Sequence, residues 1–466
     1  MAHSSRSDDS ADVGSRSVPL FDRASMGSNW LGAAFFLGLA GAFHELGLYG
    51  LIYPLGWGAG CLLANVLIVP HLRRFGRYTL PDFLGARYGN HSTRRIGLLV
   101  LLFVLFLFLT AQLYGIGLVV ERQRDISFEI AVFGGLAIAL VCVLLSGLQR
   151  MRWLPVAIAI VAIVTYAATG LTLNVHVTDT PLLPVPATDA TGASTDLFDI
   201  VALAACLIVG IAALPRIGMR AIAAPSRRAT KMADRWDFPF IGPMMVFTPA
   251  YLVAADHGID GDTFVLAAPT IAGISPVFTV LIAIGALAIL LLTATRLLRT
   301  ILSLLIDEKP GTENSARTFV AIGGMVLIGV AAAFAAATKP ASILTMMAWG
   351  LSLAASGLFA PLVVGLWWKR TSTLGAACGI AAGFGICFFY LIGTQYFPDR
   401  FAALFGSDAW WGIDNVAAGL FGIPVALAVT VIVSLVTPAP SPEMQEFVAS
   451  LRRPRGMPTN RAYSAE

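Results

Sequence analysis

Charge is what this chain has least of. Of its 466 residues 12% are Asp, Glu, Lys or Arg, against 57% hydrophobic, roughly half the charged share of an average soluble domain. That shortage excludes an ordinary water-soluble globule and leaves no room for a soluble catalytic domain. Cysteine is scarce too. Cys61, Cys142, Cys206, Cys378 and Cys387 all lie in apolar runs without short spacings, which excludes a disulfide framework or a zinc site and points to buried thiols. The polar first 27 residues hold no apolar run followed by a small-residue cleavage site, so no cleavable signal peptide is expected. Metalloprotease, nucleophile-elbow and phosphate-loop motifs are missing as well, so neither an enzyme nor a bound cofactor is expected.

What is present is a succession of apolar windows and a mean hydropathy of +0.79. Windows near the roughly 20 residues needed to cross a hydrocarbon core fall at about 29–46, 48–70, 96–120, 128–148, 153–172, 198–215, 238–255, 276–306, 318–337, 342–367, 374–393 and 415–436. These are the spans of an all-α polytopic membrane protein, and the 45 glycines suit close helix approach in lipid. With twelve spans and the N-terminus inside, all but four of the 31 Lys and Arg fall on cytoplasmic segments, the exceptions being Arg122, Arg124, Lys339 and Arg400. Basic residues are retained inside, so both termini are expected in the cytoplasm of a cell-membrane protein. By the same rule the basic loop Arg216 to Arg235 faces lipid headgroups, not nucleic acid.

Two spans are abnormal. The first keeps a clean apolar run only from Trp30 to Phe43 before His44 and Glu45, and the sixth ends in Gly210-Ile-Ala-Ala-Leu-Pro215-Arg216. Both look like broken helices. They stand five spans apart, and interrupted segments at corresponding positions of two halves mark inverted-repeat transporters, because backbone freed at membrane depth is tolerable only where it lines a polar site. Pro239, Pro243 and Pro249 should bend the seventh span.

Several stretches resemble the sodium:solute symporter family, closest to its acetate and monocarboxylate permease branch. They are Asn29-Trp-Leu-Gly-Ala-Ala-Phe-Phe-Leu-Gly38, Gly76-Arg-Tyr-Thr-Leu-Pro-Asp-Phe-Leu-Gly-Ala-Arg-Tyr88, Ala111-Gln112, Leu214-Pro-Arg-Ile-Gly-Met-Arg220, and Pro361 to Arg370 with Gly375. The resemblance implies a LeuT-like five-plus-five inverted-repeat core with alternating access around a midplane site. On that frame residues 1–27 are a polar cytoplasmic tail, 28–367 the core of spans one to ten, 368–437 two additional spans, and 438–466 a second cytoplasmic tail. Family members usually carry one more helix ahead of the core, so a small hydrophobic subunit supplying it is a candidate partner.

The resemblance maps a sodium site onto carbonyls of Ser28 and Leu31 in helix one and onto Ile289, Leu292 and Thr293 in helix eight. Leu292 stands where the family has a hydroxyl, and an isobutyl group cannot ligate a hard cation. Gly32 and Phe35 replace frequent serines. Arg296, one turn on, either snorkels to the inner interface or supplies a fixed charge in place of the cation. For the solute the candidate contacts are Gly32, Ala33, Phe35, Gln112, Gly210 and Arg216. Gln112 either ties helices together or touches solute, and Arg216 either holds a carboxylate or marks the inner boundary. His44-Glu45 reads as an outer turn, with a proton relay as the alternative. The function these residues imply is secondary transport of a small organic solute, expected to be a monocarboxylate, by symport with Na⁺ or H⁺. A transport-inactive sensor or accessory subunit is the alternative.

Overall fold

The computed structural model describes residues 32–75, 79–123, 126–145, 154–176, 197–214, 242–306 and 315–451. Among them every regular element is helical. In chain order these are α1 (Leu39–Leu46), α2 (Ile52–Leu67), α3 (Val69–Phe75), α4 (Leu80–Tyr88), α5 (His91–Gln123), α6 (Phe128–Leu144), α7 (Leu154–His176), α8 (Leu197–Ala213), α9 (Phe264–Ile271), α10 (Pro276–Leu305), α11 (Ser315–Ala337), α12 (Ile343–Ala354), α13 (Ala360–Trp367), α14 (Thr373–Tyr396), α15 (Pro398–Phe405), α16 (Gly419–Val436) and α17 (Pro442–Ser450). Eight described stretches are long and apolar enough to span a bilayer, and α6 and α8 are shorter apolar helices. Leu62, Ile130, Leu327 and Phe334 are more than half exposed on the flanks of the bundle, where lipid tails would cover them.

The boundaries differ from the sequence reading at three places. Spans one and two lie in one apolar stretch, Ala34–Leu67, divided at Gly47, whose φ of 56° is open to glycine at little cost; Gly50 then folds back onto the backbone of Ala42 and Phe43. The seventh span is not one α-helix. Residues 242–247 are helical and Thr248–His257 tightens to a 3-10 helix, with Pro249 in its first turn, where the missing amide is harmless. Span ten, finally, is interrupted by a π-segment, Ala355–Phe359, between α12 and α13.

Helix α5 is the hub, packed against α6, α10, α11 and α12. Among the described elements α14 and α16 pack together most extensively, because Gly375, Gly379 and Gly383 on α14 meet Ser434, Thr430 and Ala426 on α16 in four-residue steps, the small-on-small packing that replaces the hydrophobic effect in lipid. At one end of the bundle the described part of the 76–88 motif, residues 79–88, acts as a clasp. Thr79 and Asp82 cap α4 reciprocally, and Asp82 pairs with Arg94 at 2.8 Å. Arg87, only 1% exposed, donates from Nε to the Gly365 carbonyl at 2.8 Å and from its terminal nitrogen toward Thr371 and Trp368. Tyr88 donates to Pro361 O at 2.7 Å. The carbonyls that Arg87 reaches belong to the C-terminus of α13 and the turn after it, where a cation is favoured by the helix dipole, whereas Pro361 lies in the first turn of α13.

Candidate functional site

The first described residues, Gly32 and Ala33, are buried in the bundle. Helix one does not start as a regular α-helix: Ala34–Gly38 is wound as a π-helix, fully buried, a form that is rare and concentrates at functional sites. Just ahead of it the Ala33 amide donates to Oε1 of Gln112 on α5 at 3.0 Å, in a buried contact across 79 residues of sequence. The Gln112 carboxamide lies so close to Gly32 that a β-carbon there would sit 3.1 Å from both its oxygen and its nitrogen. Gly115, one turn further along α5, brings Ala33 together with Leu290 of α10. The start of helix one, the middle of α5 and the middle of α10 therefore meet.

On α10, Ile289 is fully buried, Thr293 is 9% exposed and Leu292 is half-buried. The Thr293 hydroxyl donates to the Ile289 carbonyl at 2.8 Å, so two of the expected cation ligands are drawn together and the Thr293 oxygen keeps lone pairs for a cation. Ser28, Leu31 and Arg216 lie outside the described residues. Phe35 is turned to the other side of helix one, edge-on to Trp57 of α2 at 5.6 Å between centroids. Gly210 lies in a helix contact: a β-carbon there would come within 2.4 Å of the Leu351 carbonyl of α12. Of the six expected solute contacts, Gly32, Ala33 and Gln112 are thus assembled in one place, while Phe35 and Gly210 contact α2 and α12.

Gln112 tests the centre directly. Replacing it by Leu leaves the Ala33 amide buried without its acceptor, a cost of about 1–3 kcal/mol, whereas Gln112→Glu retains an oxygen at the same reach. We expect Gln112→Leu to lower thermal stability and abolish uptake and Gln112→Glu to keep the stability; equal stability of Gln112→Leu and the parent would mean that the contact is unimportant.

Two arrangements escaped the sequence reading. Behind Phe36, Tyr166 of α7 lies edge-on at 5.2 Å, bonded to Thr248 at 2.9 Å and receiving the Tyr251 hydroxyl on its carbonyl at 2.6 Å; nothing local in the sequence pairs residues this distant. At the end of the bundle that carries the 256–275 loop, Asp262 is 3% exposed and its Oδ2 accepts the Ile343 amide, in the first turn of α12, at 2.9 Å. Only its position beside Gly261 hinted at a tight approach.

The profile of the sodium:solute symporter family matches residues 13–383. The chain belongs to this family. An uncharacterized symporter of Cupriavidus necator is 30% identical over 612 residues, covering 95% of this chain and 90% of its own length; since 612 positions exceed this chain's 466, that relative carries segments this symporter lacks. A monocarboxylic acid transporter of Corynebacterium glutamicum is 26% identical, over 86% of this chain and 81% of its own. Among solved structures, a Na⁺-coupled sialic acid symporter in a substrate-bound outward-open state superposes with a TM-score of 0.60 at 15% identity, covering 92% of both chains. A nucleobase-cation-symport-1 family transporter, closed around bromovinylhydantoin, reaches 0.53 at 15% identity over 93% and 96%. At these identities the likeness concerns the fold, which is LeuT-like. This symporter is a multi-pass helical membrane protein that moves a small solute.

Proposed function

We propose that this symporter carries a small monocarboxylate, bound at the start of helix one between Gly32, Ala33 and Gln112, with a cation bound between helix one and α10. The observation that carries the reading is the buried contact between Gln112 and the Ala33 amide, a polar point inside an apolar bundle where the helix has just begun. Half-helix N-termini at midplane direct amides and positive dipole toward anionic solute groups, and a carboxylate is the smallest group to suit them. Its likeness to the Corynebacterium monocarboxylic acid transporter supports the substrate class. Residues 28–367 would then form the core and 368–437 a flanking helix pair. The basic-residue bias supports cytoplasmic termini, so the 256–275 loop faces outside.

Sodium is the family's coupling ion, and membership favours it here. The residues favour a weakened site. Thr293 and the Ile289 carbonyl supply oxygens, Leu292 supplies none, and a hard cation of this size wants roughly six. We therefore expect proteoliposomes to take up a short monocarboxylate with little stimulation by Na⁺, and Leu292→Ser to raise that stimulation. Steep Na⁺ dependence lost in Thr293→Ala would instead establish the ordinary sodium site. No uptake of any monocarboxylate under a Na⁺ or proton gradient would refute transport of this substrate class and favour a sensor or accessory role.

A further inference from the structure

We propose that Asp262 is a proton-binding site of the outer lid: its carboxyl takes up H⁺ from the outer solution as the lid seats on helix one and releases it as the lid lifts. The inference rests on the alternating-access reading above. Its ligand is the proton itself, and its site is distinct from Gly32, Gln112 and the α10 residues.

The geometry joins three segments: the 260–263 turn, helix one and the N-terminus of α12. Gly261 touches Gly41 of α1 backbone to backbone, so closely that a β-carbon on Gly261 would lie 2.8 Å from the Gly41 Cα. The next residue, Asp262, is held between the π-segment of helix one and the N-terminus of α12. A β-carbon on Gly38 would sit 3.6 Å from its Oδ1, and its Oδ2 holds the Ile343 amide. The turn carrying it is rigid, with Asp260 accepting from the Asp262 amide and its carbonyl from the Thr263 hydroxyl at 2.8 Å. A loop sealed this way closes the outer end over helix one. Opening that end requires Gly261 to leave Gly41 and Asp262 to leave Ile343, and the carboxyl then meets water.

The two protonation states are unequal in the seated lid. A neutral acid keeps the Ile343 bond through its carbonyl oxygen and loses the desolvation penalty that a buried carboxylate carries. The neighbours act the same way. Asp260 from its own turn and Glu45 from α1 both repel a second negative charge, and no titratable residue lies on the π-segment or on α9. His44 on α1 offsets Glu45, Tyr114 faces Asp262 from α5, and Lys339, ahead of α12, is engaged with Glu121 at 3.5 Å. The Ile343 amide opposes the shift but does not overcome burial, and the Asp262 carboxyl is pushed up to about 7. Once hydrated it returns toward the ordinary aspartate value of about 3.9. The sign follows by linkage: above about 7 both states are ionised and pH has no leverage, and between about 7 and 4 each unit of acidification favours the seated lid by up to tenfold.

The test reads the lid without any solute. With the five native cysteines replaced, Leu344→Cys places a thiol beneath the lid, where Leu344 is 8% exposed and packs on Gly38. Ser407→Cys, on an exposed turn, corrects for the pH dependence of the thiol reagent. The labelling ratio of the two by a membrane-impermeant reagent should fall severalfold to tenfold per unit as external pH drops from 7 to 5. In Asp262→Asn, a mimic of the neutral acid, the ratio should be low and flat; in Asp262→Ala, which has no acceptor for Ile343, high and flat. His44→Gln should preserve the slope, and Glu45→Gln should move its onset to lower pH. Independently, infrared difference spectra should show a carboxyl band that titrates near neutrality and vanishes in Asp262→Asn. A flat ratio in the parent, or a slope surviving Asp262→Asn, overturns the proposal. A flat ratio with intact uptake would overturn the lid alone, while a normal slope without uptake would overturn the transport reading alone.

Discussion

Arg87→Ala is expected to unfold the detergent-solubilised symporter at a temperature lower by about 4 °C, and to abolish transport in whatever fraction survives. The residue is a guanidinium with 1% exposure whose described partners include three main-chain carbonyls at the end of α13. Truncation leaves a cavity and several buried acceptors without their donor, a loss on the order of 3–5 kcal/mol, which scales to a shift of that size in a large domain. Arg87→Lys should recover only part of it, because an ammonium on a flexible stem cannot present a planar fork to carbonyls lying in different directions. Arg94→Ala is the internal contrast. Its pair with Asp82 is about a quarter exposed on both sides, and such pairs contribute less than about 1 kcal/mol. Fluorescence-detected size exclusion after heating would rank the three variants, and an Arg87→Ala protein as stable as Arg94→Ala would show that the clasp between α4 and α13 is not what secures this end of the bundle.

Gly210→Ala should reduce uptake at least tenfold while leaving the protein inserted in the membrane. A single methyl on Gly210 would lie 2.4 Å from the Leu351 carbonyl oxygen and 2.8 Å from its carbon. Both are backbone atoms, so no rotamer can relieve the clash and α8 must back away from α12. Overpacking of this kind costs about 1–3 kcal/mol, and here it acts on two helices in direct backbone contact at the last turn of α8. Gly60 faces the same helix from α2, where a β-carbon would lie 2.7 Å from Ile211 and 2.8 Å from the Ile208 carbonyl oxygen, so α8 is gripped from two sides and has little room to move. Gly134→Ala, where a β-carbon meets nothing within 4 Å, should transport normally. Initial rates in proteoliposomes normalised to protein content would decide it, and unchanged uptake by Gly210→Ala would mean that the α8–α12 contact yields more easily than its distances imply.

Asp262 and Gln112 show where sequence reading stops. Gln112 stood out because an amide within an apolar helix must find a partner, and of the two options left open, tying helices and touching solute, the structure shows the first: its carboxamide bonds the Ala33 amide and covers Gly32. Asp262 gave no such signal, since an aspartate in a polar loop is ordinarily solvated. Its burial depends on Ile343, 81 residues away, and on the bare backbone of Gly41. Arg87 was visible only as part of a family-like loop, and its role as a cap belongs to carbonyls 278 or more residues distant.

The sequence by itself determined the medium, the helical class, the approximate spans, the basic-residue bias and the family, because these follow from composition, from runs of roughly twenty apolar residues and from local motifs that need no partner. Tertiary structure decided which polar groups are buried together. It set Gln112 on the start of helix one, turned Phe35 to Trp57, committed Gly210 to Leu351 and closed Asp262 between α12 and helix one. It also decided the local winding, with π-turns in spans one and ten and a 3-10 segment in span seven. The physical reason is the same throughout: an unpaired amide or carboxylate costs nothing to write in a chain, and its energy depends on which distant backbone the fold brings within three ångströms.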